Sequence, residues 1–392
     1  MTLAVERVPA RGLRESLPGL LSLALASFLA VTTEVSMVGL LPDVGASFRV
    51  SDSVTGLLVS LYAVMVATLA VPLTLATSRF GRKPLLLTTV LGYALSNALV
   101  AVAPEFTVVA VGRAVGGMTH ALFFSLMIGY APRLVSRGHV GRALALAGGG
   151  ASAGMVLGVP LTTSVGTAAG WRVSFGLLAA LSIVTFVLVA RLLPSVTHEP
   201  GSGGSIRAGR RALTAVSVSN MFSFLGQFTV YTFVSVLLLS SGVSPAFVGP
   251  ILLACGACGL ISLWWVGRHL DRSPRRAAVI VLTIVIGAVV VLGGTMPSLV
   301  AVIVAAAVWN GAFGGLPSIY QACAVRTHAV SPELAGAWVN ATANAGIAGG
   351  SAIGAGLLQV AGLSSLPWAG AALIGVGLAI VMLSRKAFPA RT

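Results

Sequence analysis

LPGLLSLALASFLAVTTEVSMVGLL, residues 17–41, is a run of 25 residues with a single charge, Glu34. At a helical rise of about 1.5 Å per residue such a run is long enough to cross a bilayer. A carboxylate held at membrane depth costs on the order of 3 kcal/mol by insertion scales, so it normally faces a wet cavity or a partner and has a task. The other eight of the nine Asp and Glu residues all fall in loops or at helix ends. Glu34 is therefore the first residue to consider for any proton-coupled process.

Composition agrees. Charged residues are 8% of the 392, hydrophobic ones 57%, and the mean hydropathy is +1.00. That describes a multi-span membrane protein. The net charge of +15 is spread in short clusters between apolar runs, which sets membrane orientation and does not suit nucleic acid. Cys255 and Cys258 form a CxxC, but inside the small-residue stretch ACGACG, where close helix packing is expected rather than redox or metal chemistry. Arg7, Arg11 and Arg14 precede the first run, and Ala24-Leu25-Ala26 resembles a cleavage site. The run continues past it to Leu41, so a first transmembrane helix is expected rather than a signal peptide.

Twelve apolar runs follow one another: 17–41, 54–77, 84–103, 107–131, 142–166, 172–194, 212–238, 247–267, 277–296, 298–325, 334–360 and 366–384. The longer polar break at 195–211, containing Gly201-Ser202-Gly203-Gly204-Ser205, reads as a linker between an N-terminal six-helix bundle (1–194) and a C-terminal one (212–392). Of the 24 Lys and Arg residues, 21 fall on the side of the bundle that holds both termini and the linker. Arg49 and Arg172 fall on the other side, and Arg113 within the membrane. Both termini are thus expected in the cytoplasm. The halves look like copies: Ser78-Arg79-Phe80-Gly81-Arg82-Lys83 after the second run is echoed by Asp271-Arg272-Ser273-Pro274-Arg275-Arg276 after the eighth.

Across nearly its whole length the chain resembles the major facilitator superfamily. In that family the loop after the second helix reads roughly G-x-L-A-D-R-x-G-R-K. Here Arg79, Gly81, Arg82 and Lys83 match it, while Thr74 and Ser78 replace its Gly and Asp. The second copy keeps Gly267, Asp271, Arg272, Arg275 and Arg276, with Pro274 in place of Gly. The resemblance implies that these residues form a conformational latch. Three further stretches are similar to the twelve-helix bacterial drug:proton antiporters, the multidrug and chloramphenicol-type exporters. They are Thr33-Glu34 with Gly39-Leu40-Leu41-Pro42-Asp43, then Arg113 with Gly116-Gly117, and the antiporter-like Gly154, Gly158 and Pro160 followed by Gly170-Trp171-Arg172. The implied fold is an all-α integral membrane protein of twelve transmembrane helices in two pseudo-symmetric six-helix bundles.

Glu34 and Arg113 each stand about seven residues from the far end of their runs, roughly 10 Å deep, and since the resemblance implies that the first and fourth helices both line the cavity, the two are expected to pair or share a water. The expected cycle has deprotonated Glu34 engaging Arg113, protonated Glu34 releasing it, and substrate competing with the proton. A static ion pair that fixes helix packing is the alternative. His120, seven residues after Arg113, shares its face and is a candidate for proton relay, substrate contact or plain packing. In the second half, Asn220, Gln227 and Tyr231 share a face, as do Asn310 and Gln321, with Tyr320 beside them; Asn340 and Asn344 are one turn apart. Such neutral groups either bond across helices or line a wet pathway, and here they are candidates for substrate binding.

Gly150-Ala151-Ser152-Ala153-Gly154 matches the G-x-S-x-G nucleophile pattern, which raises an intramembrane serine hydrolase as a rival. That motif needs a strand–turn–helix context, and this Ser lies in a Gly/Ala-rich helix. No metal cluster, phosphate loop or nucleotide motif is present, so no cofactor is expected and the proton gradient is the energy source. The expectation is a non-enzymatic antiporter in the bacterial cytoplasmic membrane, functional as a monomer. It would export small apolar or amphiphilic compounds such as antibiotics by alternating access. An exporter of sugars or nucleosides and an uncoupled facilitator are the alternatives.

Overall fold

A computed structural model describes residues 13–77, 80–136, 140–195, 209–270, 273–330 and 332–389. Among these residues every regular element is helical. The first half comprises α1 (Leu13–Phe48), α2 (Asp52–Ala76), α3 (Arg82–Ala101), α4 (Phe106–Tyr130), α5 (Val140–Ala169) and α6 (Trp171–Leu192). The second comprises α7 (Arg210–Tyr231), α8 (Val234–Ser240), α9 (Pro245–His269), α10 (Pro274–Thr295), α11 (Leu299–Phe313), α12 (Leu316–Arg326), α13 (Pro332–Val360) and α14 (Leu366–Leu383). α7 with α8, and α11 with α12, each make one interrupted span, so the fourteen helices form twelve spans.

Among the described residues ten spans are long and apolar enough to cross a membrane by length and composition. The other two are α5 and α13, of 30 and 29 residues, the Gly/Ala-rich helices of each half. Three boundaries differ from the apolar runs. α1 continues through Pro42 to Phe48, and the seventh and tenth runs break at 232–233 and 314–315. Most of the 195–211 break lies outside the described residues.

Packing repeats between the halves. α5 lies on α1 through Gly150, Gly154 and Gly158, set against Ala24, Phe28 and Thr32. α13 lies on α7 through Gly346, Gly350 and Gly354, set against Met221, Leu225 and Thr229. A methyl at Gly154 would sit 2.8 Å from the Phe28 carbonyl oxygen, and one at Gly354 2.7 Å from that of Thr229. Only a residue without Cβ allows that approach, the device by which small residues join membrane helices. Gly150 and Gly154 are thus packing residues on a helix, and Ser152 stands on no nucleophile elbow. Cys258 likewise packs on Gly311.

The halves meet along α2 against α13 and α5 against α9. At the end opposite the basic loops, Ser53 Oγ donates to the Ala355 carbonyl (2.8 Å) and Ser235 Oγ to that of Val38 (2.9 Å). Leu41, Phe233, Ala355 and Leu366 form a buried cluster there. α5 and α9 touch at Ser164/Gly249 and Val156/Gly256, but Gly148, Gly149 and Gly267, nearer the basic end, have open space beside them.

Candidate proton-coupling site and polar lining

The first half brings Glu34, Arg113 and His120 together inside the bundle. α4 reaches it because Gly116 and Gly117 let the helix lie directly on Tyr62 of α2. A methyl at Gly116 would come within 2.8 Å of the Tyr62 ring, and one at Gly117 would run into the Tyr62 carbonyl. Arg113, one turn earlier, is then driven inward and is 1% exposed. Its Nη1 donates to the Thr33 carbonyl (2.6 Å) and its Nη2 to the Glu34 carbonyl (2.8 Å). A helix carbonyl has a second lone pair, so it accepts these bonds without losing its own. The guanidinium also lies over the Tyr62 ring, 4.3 Å from its centre.

Arg113 therefore grips the backbone of α1 and not the carboxylate of Glu34. That carboxylate instead lies 3.7 Å from His120 Nε2, and no ion pair joins it to Arg113 among the described residues. The charges of Glu34 and Arg113 remain within electrostatic reach. Since α1 runs on to Phe48, Glu34 sits fourteen residues, about 21 Å, from that helix end, deeper than the end of the apolar run suggests. Its side chain keeps 13% exposure.

His120 is 1% exposed. Its Nδ1 is 3.0 Å from the Tyr62 hydroxyl, and Tyr62, Tyr93 and Phe124 surround its ring. Asn97 of α3 donates to Thr33 Oγ1 (3.0 Å). The Asn97 Oδ1, Tyr93 hydroxyl and Arg113 Nε are buried without a hydrogen-bond partner. Tyr62, Tyr93 and Asn97 escaped the sequence reading, which looked for charge. A tyrosine in mid-span, whose hydroxyl must find a partner, was the available signal.

The second half holds neutral groups. Gln227 Oε1 accepts from Trp309 Nε1 (2.6 Å), and Trp309 meets the Tyr231 ring edge-on. Phe224, Phe228 and Phe313 continue this aromatic wall. Asn220 is fully buried, donating to the Val339 carbonyl (2.9 Å) and Thr342 Oγ1 (3.0 Å). Tyr320 turns its hydroxyl to Ser219 (2.9 Å) and Ser223 (2.7 Å) inside the bundle. Asn344 donates to Asn340 Oδ1 (3.2 Å) and is buried. Asn310 donates to its own helix at the Ala306 carbonyl (2.9 Å). Asn310, Gln321 and Asn340 are half-buried.

At the basic end the structure shows a matched pair. Lys83 Nζ donates to the Ala190 carbonyl at the end of α6 (2.7 Å), and Arg275 donates to the Met382 carbonyl at the end of α14. Gly81 and Arg82 open α3, and Arg276 is exposed on α10. Arg79, Asp271 and Arg272 lie outside the described residues. At the other end Arg172 donates to the Ala103 carbonyl (3.0 Å) and stacks on Trp171. Pro160 lies inside α5, its carbonyl close to Gly249 of α9.

Two pseudo-symmetric helical halves, with a charged site in one, are the build of a secondary transporter. The sequence profile of the Major Facilitator Superfamily matches residues 23–336, and the chain belongs to that family. It is 30% identical over 379 residues to a chloramphenicol efflux pump of Mycobacterium tuberculosis, covering 93% of this chain and 92% of the relative. It is 28% identical over 362 residues to a probable sugar efflux transporter of Mannheimia succiniciproducens, covering 91% of each. Among solved structures, an inward-facing, unoccupied bacterial homologue of the human lysosomal transporter Spinster superposes with TM-score 0.73 at 14% identity, covering 97% of this chain and 99% of that one. The human organic anion transporter MFSD10 superposes with TM-score 0.65 at 17% identity, covering 95% and 100%.

Proposed function

We propose that the protein is a proton-coupled exporter of small apolar or amphiphilic compounds, antibiotics among them, in the bacterial cytoplasmic membrane with both termini inside. The observation that carries this reading is Glu34: a partly exposed carboxylate beside buried His120 and within the field of Arg113. With Arg113 committed to the α1 backbone, the partly exposed Glu34 carboxyl is free to exchange its proton with water. Deprotonated, it attracts His120 Nε2–H and Arg113. Protonated, it lets both relax, and a substrate that displaces the proton completes an antiport cycle. Substrate is selected in the second half by shape, aromatic contact and neutral hydrogen bonds. Gln227, Tyr231, Asn310, Gln321 and Asn340 are the polar contributors; Asn220, Tyr320 and Asn344 position the helices that bear them. The gradient supplies the energy and a monomer suffices.

The sugar-exporting relative favours a second reading, in which the cargo is a sugar. Inside-out vesicles carrying the protein test both. Chloramphenicol accumulation driven by an inside-acid gradient, and lost in Glu34→Gln, is the expected result. Accumulation of a hexose alone would move the cargo to the second reading. Equilibration without response to the gradient would make the protein a facilitator and overturn the proposal.

A further inference from the structure

We infer that Tyr62 is a positioning residue that carries the protonation state of Glu34 to the interface between the two halves; this rests on the proposed role of Glu34. Three observations meet at this one side chain, which is 1% exposed. Its hydroxyl is 3.0 Å from His120 Nδ1. Its ring is the face on which the Arg113 guanidinium lies. It also shares a buried cluster with Val66 and Ala70 of α2, Ala121 of α4 and Ala341 of α13, so it stands where the first half meets the second.

The geometry dictates the logic. His120 presents Nε2 to Glu34 at 3.7 Å, an ion-pair distance longer than a hydrogen bond, and Nδ1 to the Tyr62 hydroxyl at 3.0 Å, and the Ala30 backbone is a further hydrogen-bond partner of the ring. While Glu34 is a carboxylate, the neutral imidazole is best served with its proton on Nε2, toward the negative charge. Nδ1 then accepts, and the Tyr62 hydroxyl donates. When Glu34 takes up a proton, its charge no longer holds the ring proton at Nε2, and once the carboxyl closes the 3.7 Å gap its O–H becomes the donor toward Nε2. The ring still carries one proton, now on Nδ1, and Tyr62 must accept instead of donate. One proton has been added overall, and it resides on Glu34. A hydroxyl can serve both states, but only by turning. Since the same ring bears Arg113, and Arg113 holds two carbonyls of α1, the change at Tyr62 bears on α1, α2 and α13 together.

The titratable and charged groups facing Tyr62 are Glu34 from α1, Tyr93 from α3, and Arg113 and His120 from α4; α13 presents the uncharged Ala341.

Tyr62→Phe tests this, because it keeps the ring under Arg113 and against the cluster and removes only the hydroxyl. In proteoliposomes loaded with a pH dye, the expected result is a several-fold fall in protons moved per chloramphenicol transported. The pH midpoint of transport should shift by about one unit, the scale of one lost hydrogen-bond preference. Chloramphenicol binding and thermal midpoint should stay near wild type. His120→Asn removes the other partner of the same bond and should shift the profile likewise; it carries the test if Tyr62→Phe does not yield monodisperse protein. A wild-type profile and stoichiometry in these variants, beside a Glu34→Gln variant that has lost coupling, would overturn the role of Tyr62 alone. Coupling that survives in Glu34→Gln would overturn the functional reading and this inference with it.

Discussion

The two halves are copies in their packing and opposites in their chemistry. Met221, Leu225 and Thr229 repeat the spacing of Ala24, Phe28 and Thr32, and each set receives glycines from the small-residue helix of its half, α13 or α5. Lys83 near the start of α3 and Arg275 near the start of α10 each donate to a carbonyl at the end of the last helix of their half, Ala190 or Met382. Laying Ala24 on Met221 sets Glu34 on Tyr231. Laying the start of α2 on that of α9, and the start of α4 on that of α11, sets Tyr62, Arg113 and His120 on Cys255, Ala306 and Phe313. The ionisable centre was thus built into, or kept in, one copy only, while the close-packing glycines and the end caps serve both. Structure needs symmetry here; the proposed coupling needs a single site, because a second buried charge would add cost without a second task.

The largest expected effect breaks this comparison on its charged side. Arg113→Leu strips two α1 carbonyls of their extra donor and leaves Glu34 without its nearest cation. It should cost about 3–5 kcal/mol, the usual toll of breaking a buried charged group's contacts, read as a lowered unfolding midpoint in detergent, and should abolish transport.

Next come the glycines, where the halves should agree. Gly150→Ala and Gly346→Ala each push a methyl into the backbone of the first helix of their half, and each should cost about 1–3 kcal/mol by the same assay. Unequal costs would argue against equivalent packing. Gln227→Leu leaves the Trp309 indole N–H without its acceptor, at about 1–3 kcal/mol toward the lower end, and should alter which compounds compete for transport while leaving proton coupling intact. The smallest effect should come from the end caps. Lys83→Ala and Arg275→Ala should each lose about 0.3–1 kcal/mol at their helix ends, equally in the two halves.

Twelve spans were legible because apolar length alone marks a bilayer crossing, and the repeat was legible in its basic loops. The breaks at 232–233 and 314–315 were not, since they lie inside apolar runs, and neither was the extension of α1, since Pro42 and Asp43 end its apolar run before the helix ends. Glu34, Arg113 and His120 could be singled out because a charge at depth is rare. Their partners could not be. Whether Arg113 meets a carboxylate or a carbonyl depends on how α4 crosses α1, and that crossing is set by Gly116 and Gly117 seated on Tyr62, three helices' worth of geometry that no spacing rule contains. Tyr320 shows the converse: its position suggested a pathway, but two serines of α7 claim its hydroxyl.

The decisive measurement is the proton count on substrate addition. Detergent-solubilised protein in weak buffer with a pH indicator would receive chloramphenicol, with wild type, Glu34→Gln and Tyr231→Phe side by side. Proton release in wild type and Tyr231→Phe, absent in Glu34→Gln, is the predicted result and places the coupled proton in the first half. Release that persists in Glu34→Gln would contradict it.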